Sequence, residues 1–328
     1  MILRKQCLLL LLAATVAGSA LAGETIYMSV LSSRKHAWGK NDFPVIGLFV
    51  STDTGRSWAH RGWREYIRMF YTEAGPDGVL WSACGNGVLR SKDDGATWRV
   101  TTGSEVTEVL RLSVDRRDAR RIAAATAYGP ILSVDGGDRW RFIDQGLPTR
   151  FTGDIIVDRS QGALLVATEK GIFKRAATGT RWRPTTMTKD TRTIVQHSTE
   201  PRIFYAGTEE DGVWRSDDGG QTWKAHNVGL AHKTVYALAT APGVSGAVYA
   251  ATFGGGIYRS DDGGKSWHQK SKGLTVLDCH AVQVLPSNPT TVLAGTLNGG
   301  LFISTDAGET WVFNGQADAQ VWGLCVRN

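Results

Sequence analysis

The chain has 328 residues, of which 42% are hydrophobic and 21% charged, and its formal net charge is +6 at pH 7. This positive excess is mild and spread along the chain, so it argues against nucleic acid or a charged membrane surface as the partner. Beyond the N-terminal segment, no apolar run approaches the roughly 20 residues that a membrane-spanning helix needs. We therefore expect no membrane insertion.

The N-terminal segment has the pattern of an export signal. Arg4 and Lys5 precede an apolar run over residues 8–17, and Ala20-Leu21-Ala22 has the small-residue pattern of a cleavage site. We expect residues 1–22 to be a cleaved signal peptide and the mature protein to be secreted or periplasmic. Removing this segment takes away two basic and no acidic residues, which lowers the formal charge from +6 to +4.

Three cysteines remain after the signal segment, namely Cys84, Cys279 and Cys325. An odd number excludes a fully paired framework, and none of the three has a CxxC partner or the spacing of a zinc site. One disulfide is compatible with an oxidising compartment, and the alternative role is that of small buried apolar side chains. The sequence leaves this choice open.

One octapeptide pattern, Ser-x-Asp-x-Gly-x-(Ser/Thr)-Trp, recurs along the whole chain. Five intact copies begin at residues 51, 91, 216, 260 and 304. A copy that begins at residue 133 has Arg139 in the hydroxyl position, and one that begins at residue 175 keeps only Gly179 and Trp182. The seven starting positions are spaced by 40 to 44 residues, which is the length of one propeller blade.

The octapeptide is similar to the Asp-box, also called the bacterial neuraminidase repeat, over nearly all of residues 23–328. In such a box the glycine supplies the positive φ of a tight hairpin. The aspartate accepts hydrogen bonds from the turn, and the tryptophan is buried between sheets. The carboxylates lack the spacing of a calcium-binding loop, so we predict no metal and no cofactor. We predict a structural role for the box aspartates Asp53, Asp93, Asp135, Asp218, Asp262 and Asp306.

Each repeat also carries the pattern of four short strands. In the clearest unit these cover residues 235–240, 247–252, 256–260 and 267–270. Seven such units predict an all-β fold, a seven-bladed β-propeller of four-stranded antiparallel blades. The first blade lacks an inner strand, and we expect residues 321–326 at the C-terminus to supply it by pairing with the N-terminal strands. A ring closed in this way has no open sheet edge, so we expect a monomer.

In the families that this chain resembles, ligands bind where the loops opposite the boxes meet the central channel. Aligning the repeats places four acidic residues just before inner strands, where they would form a negative lip, and basic or aromatic residues just inside them. An alternative is that these charges pair with one another across the mouth. We predict a ligand site at this channel mouth, formed by Glu65, Arg68, Glu108, Arg111, Asp190, Arg192, Asp278, His280 and Trp322.

An insertion over residues 32–45 lengthens one loop of the first blade. It is basic and aromatic, with Trp38 among its side chains, and long loops in compact domains often carry function. We expect it to cover the mouth as a lid, with Trp38 in the site, or to contact a partner. A loop without a defined role is the alternative.

The resemblance suggests two classes of function. Sialidases share the box, but the Phe/Tyr-Arg-Ile-Pro motif that carries their first catalytic arginine is absent from this sequence. Xyloglucan-type endoglucanases place a pair of carboxylates in a cleft between two propellers, and this sequence predicts one propeller. Photosystem II assembly factors and sortilin-type receptors are propellers that bind polypeptides.

We therefore expect a non-catalytic binding or scaffold protein that recognises a peptide, protein or glycan at the channel mouth. A fold does not determine an activity, so a second function stays open. It is glycoside hydrolysis by two carboxylates at the mouth, which requires a separation of about 5 to 10 Å between them.

Overall fold

A computed structural model of the chain describes residues 24–33, 46–62 and 67–327. These residues form 28 strands and no helix, grouped into seven antiparallel sheets of four strands each. The same ranges contain no helix with the length and apolar character needed to cross a membrane. The predicted signal peptide, Trp38 and Glu65 lie outside the described residues.

Each sheet forms one blade, and the strands of blades 2 to 7 follow one another in sequence. Blade 1 contains β1 (Thr25–Ser33), β2 (Gly47–Ser51), β3 (Ala59–Arg61) and β28 (Ala319–Arg327). Blade 2 contains β4 (Met69–Ala74), β5 (Leu80–Cys84), β6 (Gly87–Ser91) and β7 (Arg99–Val100). Blade 3 contains β8 (Val109–Val114), β9 (Ile122–Thr126), β10 (Ile131–Ser133) and β11 (Arg141–Phe142).

The other four blades repeat this arrangement. Blade 4 contains β12 (Asp154–Val157), β13 (Leu164–Thr168), β14 (Gly171–Arg175) and β15 (Arg183–Pro184). Blade 5 contains β16 (Thr191–Gln196), β17 (Phe204–Thr208), β18 (Val213–Ser216) and β19 (Lys224–Ala225). Blade 6 contains β20 (Val235–Thr240), β21 (Val248–Thr252), β22 (Gly256–Ser260) and β23 (His268–Gln269). Blade 7 contains β24 (Cys279–Leu285), β25 (Asn288–Thr296), β26 (Leu301–Ser304) and β27 (Val312–Gly315).

The ring is closed by the two ends of the described chain. Strand β28 pairs antiparallel with β1, from Thr25 opposite Arg327 to Ser33 opposite Ala319. Around the channel each inner strand contacts the inner strands of the two neighbouring blades, and β28 contacts both β24 and β4. The predicted seven-bladed propeller and its closure by the C-terminal strand are confirmed.

The core is divided among the seven interfaces between blades. Each interface holds one apolar cluster, and each cluster contains one box tryptophan. The second strands supply most of the rest, because all five residues of β5, β9, β13, β17 and β21 are buried. Small side chains such as those in Ile122–Thr126 let neighbouring sheets approach closely at these positions. Five of the seven box tryptophans are buried between sheets, and the other two, Trp58 and Trp140, are half-buried against their clusters.

The box of blade 6 shows how the aspartate organises its turn. Oδ1 of Asp262 accepts hydrogen bonds from Ser260 Oγ at 2.8 Å and from the N–H of Ser266 at 2.9 Å, and Oδ2 accepts one from Ser266 Oγ at 2.6 Å. These bonds, above all the one from the Ser266 hydroxyl, lower the pKa of Asp262 to about 2. Gly264 has a φ of 88° and donates its N–H to Ser260 Oγ at 2.8 Å.

The two altered boxes keep the turn with fewer bonds. Asp135 accepts hydrogen bonds from Ser133 Oγ and from the N–H of Arg139, which has no hydroxyl to add a third. In the box of blade 4, which begins at residue 175, Arg175 replaces the serine, and its Nε donates a hydrogen bond to the carbonyl of Gly179 at 2.7 Å. The hydrogen bonds of the box aspartates lie within their own turns, and their structural role stays a prediction.

A second contact between blades recurs on the third strands. In four blades a basic side chain on the third strand donates to a main-chain carbonyl in the box of the next blade. Arg259, for example, donates from Nη1 to the carbonyl of Ala307 at 3.1 Å while its guanidinium lies 5.8 Å from the ring centroid of Tyr249. The other three donors are Arg90, Lys174 and Arg215.

The three cysteines of the described chain are buried and unpaired. Burial raises the pKa of the Cys84 and Cys325 thiols to about 11 and that of Cys279 to about 12. All three therefore act as small apolar side chains in the core, which resolves the choice that the sequence left open.

Candidate functional site

The inner strands share an irregularity at their channel-mouth ends. In β20 the pairing with the second strand jumps from Val235 opposite Thr252 to Ala237 opposite Ala251, so Tyr236 is left as an extra, bulged residue. Such a bulge changes the direction in which a side chain points. The same shift occurs in six of the seven blades, and the bulged residues are Phe70, Leu110, Arg192, Tyr236, His280 and Trp322.

Blade 4 has a glycine at the corresponding position. Gly153 directly precedes Asp154, which is paired with Ala167 as Ala237 is paired with Ala251. The six bulged residues and Gly153 line one cavity of about 120 Å³ at the channel mouth, so every blade contributes to it. The remaining lining residues are Arg111, Phe151, Asp154, Asp190, Thr191 and Thr193.

Aromatic rings form a continuous arc along one wall of this pocket. His280 is stacked on Tyr236 with ring centroids 4.2 Å apart, and it meets Trp322 edge-on at 4.7 Å. Trp322 in turn meets Phe70 edge-on at 5.7 Å. The arc crosses four consecutive blades, and at its end the guanidinium of Arg192 lies 5.9 Å from the ring of Tyr236.

The base of the pocket is occupied by an ion pair. Arg111 Nε lies 3.5 Å from Asp154 Oδ1, and the Arg111 guanidinium lies 3.7 Å from the ring centroid of Tyr71. The main-chain N–H groups of Ile155 and Ile194 donate to the Asp154 carboxylate, each at 2.8 Å. Burial raises the pKa of Asp154, and Arg111 together with these N–H groups opposes the rise. Every oxygen of this carboxylate is thus engaged by the protein.

The rim of the pocket carries a second ion pair and a free carboxylate. Arg192 Nε donates to Glu209 Oε2, and Asp190 stands two residues before Arg192. Partial removal of water raises the pKa of Asp190, and the positive charge of Arg192 opposes this. Within the described residues, no group of three or more His, Cys, Asp or Glu side chains is arranged to hold a metal.

Below the pocket, inner strand β4 carries a second buried carboxyl group. Glu73 Oε1 accepts a long hydrogen bond from the N–H of Val114 at 3.4 Å and lies 3.7 Å from Nη2 of Arg116. Burial raises the pKa of Glu73 to about 7, with Arg116 opposing. This side chain is not part of the pocket lining.

Five of the predicted site residues line the pocket, namely Arg111, Asp190, Arg192, His280 and Trp322. Three others that the structure describes do not. Arg68 is exposed ahead of β4, and Glu108 is exposed with a φ of 50°. Asp278 accepts a hydrogen bond from the N–H of Gly254 at 2.9 Å. Of the predicted acidic lip, the described chain therefore brings only Asp190 to the pocket.

The sequence reasoning missed Phe70, Tyr236, Phe151 and Asp154. Phe70 and Tyr236 occupy the bulged position of their inner strands. Counting residues from the boxes does not reveal this position, because the bulge adds one residue to the strand. An alignment on the second strands would have placed Phe70, Tyr236 and Trp322 at one level. The alternative that charges at the mouth pair with one another holds for Arg111 and Arg192, although their partners are Asp154 and Glu209.

Comparison with known proteins defines the class of this chain. The BNR/Asp-box repeat model matches residues 214–225 and 258–269, which contain the boxes of blades 5 and 6. The chain is a seven-bladed β-propeller that contains BNR/Asp-box repeats.

Two curated relatives match part of the chain. An oligoxyloglucan-reducing end-specific xyloglucanase of Emericella nidulans is 31% identical over 157 residues, which are 42% of this chain and 19% of the relative. A probable oligoxyloglucan-reducing end-specific xyloglucanase of Neosartorya fischeri is 27% identical over 173 residues, 47% of this chain and 21% of the relative. The chain thus spans about a fifth of the length of these relatives.

Solved structures share the fold at low sequence identity. The GH74 enzyme of Niastella koreensis has a TM-score of 0.61 and 20% identity, covering 83% of this chain and 42% of that chain. The structure of YCF48 bound to D1 peptide has a TM-score of 0.57 and 16% identity, covering 79% of this chain and 92% of that chain. At these identities the likeness supports the propeller fold.

Proposed function

We propose that this chain is a non-catalytic binding protein that recognises a polypeptide at the channel mouth. The observation that carries the proposal is the pocket, which is lined by one residue at the bulge level of every blade. A pocket built in this way is held by the whole ring, so its shape is fixed before a ligand arrives.

The size of the pocket favours capture of one side chain. A cavity of about 150 Å³ is large enough for a benzene ring, and this pocket measures about 120 Å³. Sites for larger small molecules measure about 300–1,000 Å³. The enclosed part of this pocket is therefore of the size of one apolar side chain of a partner.

The comparisons supply independent support at the level of the fold. YCF48, which is similar to this chain over most of both chains, has been solved bound to D1 peptide. A propeller of this size and class is therefore able to hold a peptide. The identity of the polypeptide that this chain would bind is a separate question.

Glycoside hydrolysis is the second candidate, and the xyloglucanase relatives favour it. The pocket lining includes two carboxylates, Asp154 and Asp190. Hydrolysis requires one acid and one base or nucleophile that are free to act on the substrate. Asp154 is bound by Arg111 and two main-chain N–H groups, which leaves Asp190 without a catalytic partner in the lining. The geometry therefore favours binding.

Filling the pocket tests the proposal. Gly153 lines the pocket, its φ lies outside the left-handed region, and a Cβ placed there meets only ordinary contacts, the nearest at 3.8 Å. Gly153→Leu is therefore expected to fold and to occupy the cavity. Gly85→Leu is the matched control, because Gly85 has open space around it and is not part of the lining.

The assay is selection of a phage-displayed dodecapeptide library on the purified protein, followed by calorimetry with the selected peptides. We expect micromolar binding that Gly153→Leu abolishes and Gly85→Leu preserves. Xyloglucan oligosaccharides are incubated in parallel, and release of reducing sugar that is lost on Asp190→Asn would establish hydrolysis instead. Peptide binding that survives in Gly153→Leu would place the site elsewhere.

We also propose export of the chain, for which residues 1–22 are the only support. In the producing organism, the protein is expected in the periplasm or the medium with Gly23 as its first residue. N-terminal sequencing of the isolated protein checks this. An intact Met1 on cytoplasmic protein would refute it.

A further inference from the structure

The two boxes that depart from the repeat pattern belong to neighbouring blades, and both departures introduce arginine. Arg139 in blade 3 and Arg181 in blade 4 stand where the other boxes have a serine or threonine hydroxyl. The box of blade 4 also has Arg175 in place of the serine and Ala177 in place of the aspartate. Within the described chain, the side chains of Arg139 and Arg181 have no hydrogen-bond or ion-pair partner. They therefore add positive charge without holding their turns together.

The positive charge that we expected to be spread along the chain is concentrated in these two blades. Residues 115–183 cover most of blades 3 and 4 and contain 13 Lys and Arg against eight Asp and Glu, an excess of five. The whole chain has an excess of six. The remainder of the chain is therefore nearly neutral as a group, and one side of the ring is distinctly basic.

Three arginines converge where blades 3 and 4 meet. Arg141 is paired with Leu132 on the neighbouring strand. Arg175 is paired with Leu164, and both leucines belong to the apolar cluster between the two blades. Because residues directly opposite each other in a sheet share a face, both arginines point towards this interface. Arg121 reaches it as well, since its Nη1 donates to a main-chain carbonyl of blade 4 at 2.9 Å.

These guanidinium groups have little opposite charge between them. Burial lowers the pKa of Arg175, and the positive charges of Arg141 and Arg121 lower it further. Within the described chain, Arg121 is the one member of the three with a carboxylate partner, and it shares that partner, Asp115, with Arg117. Like charges held together raise the free energy of the protein. A negatively charged ligand would relieve this repulsion.

The outer side of this interface is accessible to a partner. Arg141 and Arg181 are exposed, and 74% of the Arg120 side chain is exposed. The carbonyl of Arg120 accepts an N–H from the box of blade 3 at 2.8 Å, and the N–H of Trp182 donates to the carbonyl of Gln145 at 2.9 Å. These bonds place the loop before β9 and the box of blade 4 beside the box and outer strand of blade 3. The basic sector is defined as Arg120, Arg121, Arg139, Arg141, Arg175 and Arg181.

The aspartates that remain in this region distinguish between kinds of anion. The side chains of Asp118 and Asp138 are 45% and 65% exposed. A polymer of continuous negative charge, such as a sulfated glycan, would bring its anionic groups against these carboxylates. A polypeptide with separated acidic residues avoids them, and its carboxylates match the two parallel hydrogen bonds that a guanidinium group donates.

We infer that the basic sector binds an acidic segment of a polypeptide partner, in which carboxylates alternate with uncharged residues. Carboxylates of the segment pair with the exposed Arg141 and Arg181, while Arg121 and Arg175 behind them add to the positive potential. The sector lies on the side of the ring that carries the boxes, opposite the channel mouth. It therefore gives the protein a second binding surface, independent of the pocket.

The test uses a fluorophore-labelled decapeptide of alternating glutamate and glycine, whose binding is followed by fluorescence anisotropy. The corresponding decapeptide of lysine and glycine is the comparison probe. We expect the glutamate peptide to bind, with an affinity that falls as salt screens the charges, and the lysine peptide not to bind. Arg141→Gln and Arg181→Gln are each expected to weaken binding roughly threefold to fivefold, the upper range for one exposed ion pair.

Two control variants locate the effect. Lys224 directly follows the box tryptophan of blade 5, as Arg141 follows that of blade 3, and it is exposed on β19. We expect Lys224→Gln to bind the glutamate peptide as tightly as the unmodified protein. Gly153→Leu, which fills the pocket at the channel mouth, is also expected to leave this binding unchanged.

Several results would overturn the inference. Absence of binding at low salt, equal binding of the two peptides, or a loss in Lys224→Gln as large as that in Arg141→Gln would show that the basic sector does not recognise acidic polypeptide. Tighter binding of a heparin hexasaccharide that displaces the peptide and is weakened in the same arginine variants would assign the sector to a continuous polyanion. The glutamate peptide has no apolar side chain, so none of these results bears on the function proposed for the channel mouth.

Discussion

Asp154 connects three consecutive blades, because its Oδ1 lies 3.5 Å from Arg111 Nε in blade 3 and its Oδ2 accepts the N–H of Ile194 in blade 5. Arg111 and Asp154 stand at equivalent positions of neighbouring inner strands, paired with Ala125 and Ala167 of their second strands. The pair therefore joins the inner strands of neighbouring blades near the channel axis. This makes it part of the structure of the ring as well as of the pocket.

Removing one partner of this pair is expected to destabilise the ring. Arg111→Met leaves the Asp154 carboxylate buried without its counter-charge, and breaking a buried pair in this way costs about 3 kcal/mol. Urea unfolding followed by tryptophan fluorescence measures the loss. Arg120→Met is the control, since the pair of Arg120 with Asp118 is exposed and worth about 0.5 kcal/mol. Equal effects of the two substitutions would contradict the argument.

The hydroxyl in the box determines how much the aspartate contributes. We expect Asp262→Ala to lower the free energy of unfolding by about 1–2 kcal/mol, because three hydrogen bonds are lost. Asp135→Ala is expected to cost less, since Arg139 supplies no hydroxyl bond. Thermal unfolding of the two variants shows which substitution lowers stability more. Peptide binding at the channel mouth serves as the control and should be unchanged in both.

Glu73 makes stability depend on pH in a defined direction. Its pKa is raised from 4.5 to about 7, so the folded state favours the protonated carboxyl. This contribution is fully present below pH 4.5 and is lost as the pH rises through 7, by roughly 3 kcal/mol in total. We expect Glu73→Gln to match the unmodified protein at pH 4 and to be the more stable of the two at pH 8.5.

The measurement is the difference in melting temperature between the two proteins across this range. The box aspartates do not interfere, because their pKa values near 2 place their effect at lower pH. His280 contributes equally to both proteins and cancels in the difference. A difference that does not grow with pH would show that Glu73 is ionised in the fold at no cost.

The contact between Arg259 and the box of blade 7 is expected to stabilise the interface between blades 6 and 7. Arg259→Met removes the hydrogen bond to Ala307 and the contact with the Tyr249 ring, and we expect a loss of about 1–2 kcal/mol. Arg141→Met on the exposed β11 is the comparison. Chemical unfolding measures the loss of stability in both variants. A loss in Arg259→Met no larger than that in Arg141→Met would contradict the stabilising role of Arg259.

Much of the fold was predictable because the box is local chemistry. An aspartate, a glycine and a tryptophan within eight residues fix a turn, and the spacing of seven turns fixes the number of blades. The pairing of the terminal strands followed from the strand content of the two ends. These features depend on residues that are close in sequence.

The site was predictable only in part because it depends on register and on contacts between blades. His280 and Trp322 were found because each lies one residue inside its predicted strand. The inner strand of blade 2 begins at Met69. The position that Arg111 holds in blade 3 is therefore held in blade 2 by Tyr71 and not by the predicted Arg68. Asp154 was missed because Arg111 and Ile194, which hold it in place, lie about forty residues away in either direction.

The closure of blade 1 also determines how the ring responds to tension. Thr25 is opposite Arg327, so the outer ends of β1 and β28 lie side by side, and both strands are anchored to Asp94 of blade 2 through Tyr27 and Arg327. A force that pulls these two ends apart breaks the hydrogen bonds between β1 and β28 one residue pair at a time. Under such a load the propeller would open at this blade before any other.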